Sequence, residues 1–263
     1  MTARWRMEPA FIIVGAQKCG TTSLYNYLTQ HPHVLEAERK EVNYFSLHYH
    51  KGMAWYRSRF PLRPLSHCGS SDSRDNPVTG EATPDYIFHP HAMARIARDL
   101  PEARLIALFR DPVERAFSGY QHEVRASRED RCFRKAIALE EERTAAERER
   151  MEADPGYNSP AVRRFSYVAR GIYVDQVRRM LSLFPREQVL FVGSERFFAD
   201  PAETYAEVLS FLGLPPWDSV RFKVYNPNRY ADMPRDARRE LRRFYAPYNE
   251  QLFELLGRRF DWG

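Results

Sequence analysis

The chain has 263 residues, 43% of them apolar, and its 40 Lys and Arg against 35 Asp and Glu give a net charge of +5. That apolar content supports a sizeable core and excludes a disordered chain, while the longest apolar runs, at 11–14 and 105–109, fall far short of the ~20 residues of a membrane span. The opening Met-Thr-Ala-Arg-Trp-Arg-Met-Glu-Pro lacks the apolar segment of a signal peptide, and Cys19, Cys68 and Cys132 are too few and scattered for a disulfide framework or a zinc cluster.

Residues 11–14 form the first of three continuously apolar runs; 105–109 and 189–192 are the others. Unbroken apolarity, in place of alternation, suits strands buried on both faces of a parallel sheet. Residues 22–30, with Leu24, Tyr27 and Leu28 on one side, have a helical period and follow the first run. Turn formers dominate 62–78, which reads as a surface loop. A helix over 91–100 leads into the second run. The charged segment 131–153 reads as a solvated helical excursion, ended by Asp154-Pro155-Gly156. In 173–184 the stripe Val174, Val177, Leu181 and Phe184 precedes the third run. Residues 203–212 are amphipathic, and two further helical patterns, 234–245 and 248–256, close the chain. Strands alternating with helices predict one α/β domain over 1–263 with right-handed crossovers. Acids are interleaved with the arginines, so nucleic acid is not expected as a partner; an anionic small molecule or acidic polymer fits the mild positive balance.

Gly15-Ala16-Gln17-Lys18-Cys19-Gly20-Thr21-Thr22-Ser23 lies between a buried strand and a helix. Glycines allow close backbone approach to an oxyanion, the helix N-terminus offers free N–H groups and partial positive charge, and Lys18, Thr21, Thr22 and Ser23 add a charge and hydroxyls. Gly15 and Gly20 are spaced as in a nucleotide-triphosphate P-loop, but Thr21 stands where that motif has lysine, and Lys18 lies inside the loop. The second run ends in Arg110, not in an acid for Mg²⁺.

Residues 15–23 resemble the 5′-phosphosulfate loop of sulfotransferases that use 3′-phosphoadenosine 5′-phosphosulfate (PAPS). Leu-Phe-Arg-Asp-Pro-Val-Glu-Arg-Ala-Phe-Ser-Gly-Tyr-Gln-His (108–122) resembles their 3′-phosphate segment, and Lys-Glu-Val-Asn-Tyr-Phe (40–45), Gly-Glu-Ala-Thr-Pro-Asp-Tyr (80–86), Arg-Gly-Ile-Tyr (170–173) and residues 245–258 are similar too. The likeness spans nearly the whole chain and is strongest to the branch holding heparan sulfate sulfotransferases and bacterial polyketide-synthase sulfotransferase domains. It implies a P-loop-like three-layer α/β fold, a central parallel sheet flanked by helices. It also implies metal-independent, in-line sulfuryl transfer from PAPS, with adenosine 3′,5′-bisphosphate as the product.

On that resemblance Lys18 stabilises charge on the leaving group, and Gln17, Lys18, Cys19, Gly20, Thr21, Thr22 and Ser23 cradle the 5′-phosphate, Cys19 through its size and amide and not its thiol. Arg110, whose planar fork suits phosphate, and Ser118 take the 3′-phosphate. Arg115 is read as solvated or paired with Glu114 or Asp111. Glu41 is the expected general base, with His122, one helical turn after Ser118, as an alternative or additional one. Lys40 and Arg39 are expected to contact substrate or PAPS. Glu81, Asp85 and Tyr86 are expected to line the acceptor cleft, unless they only shape the turn at Pro84. Asn228, Arg229 and Tyr230 stand where the family has a basic, glycine-containing loop, here without its glycine, and Arg170-Gly171 completes the nucleotide site. The expected acceptor is a hydroxyl or amine of a glycan or small molecule, carrier-bound ones included. A cytoplasmic location is expected, because neither the membrane anchor nor the disulfides of Golgi relatives are seen. Two other readings stay open: a P-loop-type kinase, which requires Mg²⁺ and a triphosphate, and a non-enzymatic module binding anionic glycans.

Overall fold

The computed structural model describes residues 3–63, 77–223 and 232–262. Its frame is a five-stranded, wholly parallel sheet in the order β2-β3-β1-β4-β5. Three strands are the expected ones, β1 (Phe11–Gly15), β4 (Arg104–Phe109) and β5 (Val189–Gly193). β2 (Val34–Leu35) and β3 (Val78–Ala82) have no apolar run to announce them. In β3 the polar residues are buried because each is satisfied or absent as a side chain. Thr79 Oγ1 donates to the Leu35 carbonyl (2.7 Å), Glu81 is caged by hydroxyls, and Gly80 leaves room for the Phe11 ring, which a Cβ there would meet at 2.5 Å. Phe11 is indeed the register partner of Gly80. β1 lies in the middle, so the loop after Gly15 leaves from the centre of the C-terminal edge of the sheet, where open α/β sheets place their ligands.

Helices flank the sheet, with α1 (Thr21–Leu28), α2 (Gly52–Arg57) and α3 (Ala92–Asp99) preceding β4. Moving from β1 toward β2 and from β3 back across to β4 with right-handed crossovers puts α1 and α3 on opposite faces. α4 (Pro112–Arg125) starts directly after β4, with Asp111 Oδ1 accepting from Val113 N (2.8 Å) and Pro112 in its first turn, a sharply defined N-terminus. After α5 (Phe133–Ala138), α6 (Glu140–Ala153) and α7 (Pro160–Phe165), α8 (Tyr173–Leu181) leads into β5, and α9 (Ser194–Ala199) and α10 (Pro201–Leu212) follow.

Three expectations change. The segment 131–153 is two helices and not a solvated excursion: Thr144 and Met151 are buried, and the Glu140 carboxylate accepts from the backbone N–H groups of Val168 (2.6 Å) and Ala169 (2.8 Å). The two closing helical patterns are one helix, α11 (Arg235–Leu256), running through Pro247. Proline removes one intrahelical bond, but the carbonyl it orphans belongs to exposed Arg243, while Leu241, Tyr245 and Leu252 are buried along the same helix and hold it by packing. Arg115 is not at the surface. It is 1% exposed and donates to the Tyr167 carbonyl, and Glu114 pairs with Arg238 instead. Most of the expected loop at 62–78, Cys68 included, and Asn228, Arg229 and Tyr230 lie outside the described residues. Among the described residues no helix is long and apolar enough to cross a membrane.

Candidate active site

The turn after β1 is held from three sides. Ala16 N donates to the Leu108 carbonyl (2.8 Å), tying the turn to β4. Ser194 Oγ, at the start of α9, donates to the Cys19 carbonyl (2.7 Å). The buried Tyr173 hydroxyl donates to the Arg110 carbonyl (3.0 Å) and lies 3.7 Å from Cys19 Sγ, so one side chain touches both the turn and the end of β4. Lys18 (φ 71°) and Gly20 (φ 94°) both have left-handed backbone, which turns the chain sharply into α1. This costs little at glycine and about 1–2 kcal/mol at lysine. Burial pushes the Cys19 thiol up, which keeps it protonated and unreactive. The first N–H groups of α1 are those of Thr21, Thr22 and Ser23, which have no intrahelical partners.

Positive charge converges on this turn. Burial, then the charges of Arg125, Arg110 and Arg115, hold the Lys18 amine below its ordinary value. Arg110 leaves the end of β4, Arg115 and Arg125 come from α4, and buried Ser118 lies between them on α4. An anion placed here would relieve the mutual repulsion of the cations, so the residues fit a bound phosphate group.

A second turn faces the first. Glu41 (φ 63°) and Asn43 (φ 56°) are both left-handed, and the Asn43 amide donates to the Glu41 carbonyl (2.8 Å). Glu41 N is fastened to the Ala82 carbonyl at the end of β3 (3.1 Å), and its carboxylate, about half exposed, pairs with Lys40 Nζ at 2.8 Å. Beneath this turn sits Glu81, fully buried. It accepts from the hydroxyls of Tyr56 (2.6 Å), Thr83 (2.7 Å) and Tyr86 (3.1 Å), and from the Val42 backbone N–H. Burial raises its carboxyl above the ordinary value despite these donors. Thr83 Oγ1 also accepts from Asn43 N (3.3 Å).

The two turns enclose a cleft of about 330 Å³ whose walls include Gln17, Glu41, Asn43, Asp85, His122 and Arg128, with Arg163 and Arg164 of α7 on the far side. Both candidate bases therefore open onto the space that the phosphate-loop residue Gln17 also reaches. His122 is half exposed, 3.9 Å from Glu123; burial and the Lys18 charge hold its imidazole below the usual value, so it is neutral near pH 7.

Glu81 and Tyr86 do not line this cleft. Both are buried, Glu81 on β3 and Tyr86 in the turn that follows it, and they support the turn that carries Glu41. Asp85 does reach the wall, but its carboxylate is bound to Arg170 (2.7 Å); burial pushes the group up, and the Arg170 charge and hydrogen bond, together with the nearby His89 and Arg163 charges, hold it below the ordinary value. Arg170 itself is buried against Asp85 and the Phe88 ring, and the neighbouring Gly171 backbone is covered by Tyr245, so this pair braces the wall and does not open onto the loop after β1. Four residues that sequence reasoning gave no role are prominent: Asn43, Tyr173, Arg163 and Arg164. Asn directly after Lys-Glu-Val signals a left-handed turn; the arginines of α7 carry no signal, since their place depends on tertiary packing.

The protein-family model described as sulfotransferase domain matches residues 8–245. Heparan sulfate glucosamine 3-O-sulfotransferase 3A1 of Mus musculus is 30% identical over 278 aligned residues, covering 97% of this chain and 64% of its own length. The 3B1 protein of the same species is 30% identical, with 97% and 65% covered. The chain thus spans slightly less than two thirds of the length of these relatives. The crystal structure of a sulfotransferase from Alicyclobacillus acidocaldarius matches with a TM-score of 0.71 at 35% identity, over 95% of this chain and 96% of that one.

Replacing Glu81 strands four donors in the core. Glu81→Ala is expected to lose about 3 kcal/mol or more in urea denaturation, against about 1 kcal/mol for Tyr56→Phe, which removes a single bond. Equal losses in the two variants would refute the cage.

Proposed function

This chain belongs to the sulfotransferase domain family, and we propose that it transfers a sulfuryl group from PAPS to a hydroxyl, or an amine, of a glycan or small-molecule acceptor without a metal ion. The observation that carries this reading is the single cleft shared by the phosphate-loop residue Gln17, Glu41 and His122, beside the cluster of Lys18, Arg110, Arg115 and Arg125. PAPS, when bound, supplies the sulfuryl group and a phosphate leaving group.

Such a transfer needs neutralised leaving-group charge, a base for the acceptor proton and fixed alignment, and the chain's own residues meet all three. The N–H groups of Thr21, Thr22 and Ser23, with the positive end of α1, hold the 5′-phosphate. Arg110 and Ser118 hold the 3′-phosphate, and Lys18 stabilises negative charge as it develops on the leaving oxygen. Glu41 accepts the acceptor proton; its left-handed turn, propped by Glu81 and Thr83, fixes the backbone from which the carboxylate projects into the cleft. His122, held neutral beside Lys18, is placed to accept the same proton or to orient the acceptor hydroxyl. Protein cations already supply the charge neutralisation that Mg²⁺ provides in phosphoryl transfer. Arg163 and Arg164 give the acceptor side positive charge, whereas Arg128 and Lys40 are paired with Glu123 and Glu41; this favours an anionic or polyhydroxylated acceptor, and the 3-O-sulfotransferase relatives support a glycan hydroxyl.

With labelled PAPS and a panel of glycan and small-molecule acceptors, Lys18→Ala is expected to lower kcat at least ~10²-fold. Glu41→Gln is expected to lower it by ~10²–10⁴-fold with little change in donor affinity. EDTA is expected to leave turnover intact. Full turnover by Glu41→Gln would move the base to His122, and loss of turnover with EDTA would overturn the metal-independent reading.

The alkaline limb of kcat/KM follows from Lys18. A buried amine among arginines gives up its proton more readily, so the free enzyme is expected to lose activity at a pH below the ordinary lysine value of 10.5. Lys18→Arg, which stays charged, is expected to remove that limb from whatever activity remains. A limb unchanged in Lys18→Arg would assign it to another group.

A further inference from the structure

Between β4 and α4 one peptide unit belongs to neither element. The β4–β5 ladder ends at Phe109 and Gly193, and the first backbone bond of α4 closes from Arg115 N to the Asp111 carbonyl. The Arg110–Asp111 peptide lies between them, so its C=O and its N–H need partners from elsewhere. Both have one. The Tyr173 hydroxyl donates to the carbonyl (3.0 Å), and the N–H donates to Glu195 Oε1 (2.9 Å), a charge-assisted bond. The peptide plane next to the Arg110 side chain is therefore gripped at both poles, from α8 and from α9.

Glu195 is itself held. Its second oxygen, Oε2, accepts from the Trp262 indole N–H (3.3 Å). The Trp262 ring stacks on Phe260 (ring centroids 4.9 Å apart) and packs against Phe253 of α11 (5.3 Å) and Tyr173 (5.8 Å). The tyrosine that grips the carbonyl thus also packs against the indole that orients the carboxylate. Burial raises the Glu195 carboxyl above its ordinary value, against the pull of its donors and of the Arg110 charge, so the carboxylate stands there at a cost. Two consecutive residues at the start of α9 divide the work: Ser194 holds the turn after β1 through the Cys19 carbonyl, and Glu195 holds the end of β4.

We propose, on the reading of Arg110 as the 3′-phosphate contact, that Glu195 is a positioning residue for Arg110, oriented in turn by Trp262. The pair sets how strongly the site selects a nucleotide with a 3′-phosphate over one without it. The Arg110 side chain shifts with its peptide unit, and a misplacement of about 1 Å is costly at a contact that depends on orientation.

The test is titration calorimetry of the intact chain with adenosine 3′,5′-bisphosphate and adenosine 5′-monophosphate, read as the ratio of their affinities. In Glu195→Ala the ratio is expected to fall roughly tenfold or more, with the affinity for the monophosphate changed by less than about twofold. Glu195→Gln, whose amide oxygen can still accept from Asp111 N, is expected to recover most of it. Trp262→Phe keeps the ring packing, removes the indole donor and is expected to lower the ratio by about threefold or more. It decides the matter if Glu195→Ala does not melt cooperatively. Ser194→Ala, which frees the turn after β1, is expected to weaken both nucleotides and leave the ratio unchanged. A wild-type preference for the bisphosphate that survives in Glu195→Ala, or in Trp262→Phe where that variant decides, overturns the positioning role. So does an equal fall of the ratio in Ser194→Ala, and a Glu195→Gln variant as impaired as Glu195→Ala overturns the hydrogen bond as its means. No preference in the wild type overturns the 3′-phosphate reading itself.

Discussion

Everything at the C-terminal edge of this sheet is arranged around one unfavourable placement, a half-buried lysine pressed among three arginines. Like charges at this range repel, and burial adds to the cost of keeping Lys18 protonated. A fold keeps such a cluster when something negative is meant to sit in it. The N-terminus of α1 points its free N–H groups and its partial charge at the same place, so the lysine, the arginines and the helix all favour one kind of occupant, a multiply charged phosphate ester.

The scaffold makes that cluster rigid with few side chains. Tyr173 contacts the turn after β1 and the end of β4 at once, and Ser194 pins the Cys19 carbonyl from β5's side, so β1, β4 and β5 share the burden of positioning Lys18 and Arg110. On the opposite wall a buried carboxylate, Glu81, does the equivalent work for Glu41. Its raised affinity for a proton shows what burial costs it, and the four donors converging on it are what keep that cost tolerable. Left-handed backbone at Lys18, Glu41 and Asn43, all lining or flanking the cleft, marks where local strain is held by such supports.

Much of this was legible in the sequence, for identifiable reasons. β1, β4 and β5 declare themselves because strands buried on both faces must be apolar throughout, and the phosphate turn declares itself because glycine, lysine and hydroxyls are compressed between a strand and a helix. β3 hides because a buried carboxylate looks like a surface one until its hydroxyl partners are known; that is also why Glu81 and Tyr86 read as cleft residues. Arg115 misleads in the same way, since its partner, the Tyr167 carbonyl, is 52 residues distant. The α7 arginines depend on how α5, α6 and α11 pack, and nothing local encodes that. Pro247 shows the converse error: a strong local breaker overridden by burial on the opposite side of the helix.

The cluster at the end of β1 is proposed as a site for a nucleotide bearing both a 5′- and a 3′-phosphate. Isothermal titration with adenosine 3′,5′-bisphosphate in metal-free buffer tests it most directly. Saturable binding at one site is expected, weakened by about 2 kcal/mol or more in Arg110→Ala through loss of a charged phosphate contact, with adenosine 5′-monophosphate bound more weakly than the bisphosphate by wild type. No binding, or binding that requires Mg²⁺ and ignores the 3′-phosphate, would contradict it.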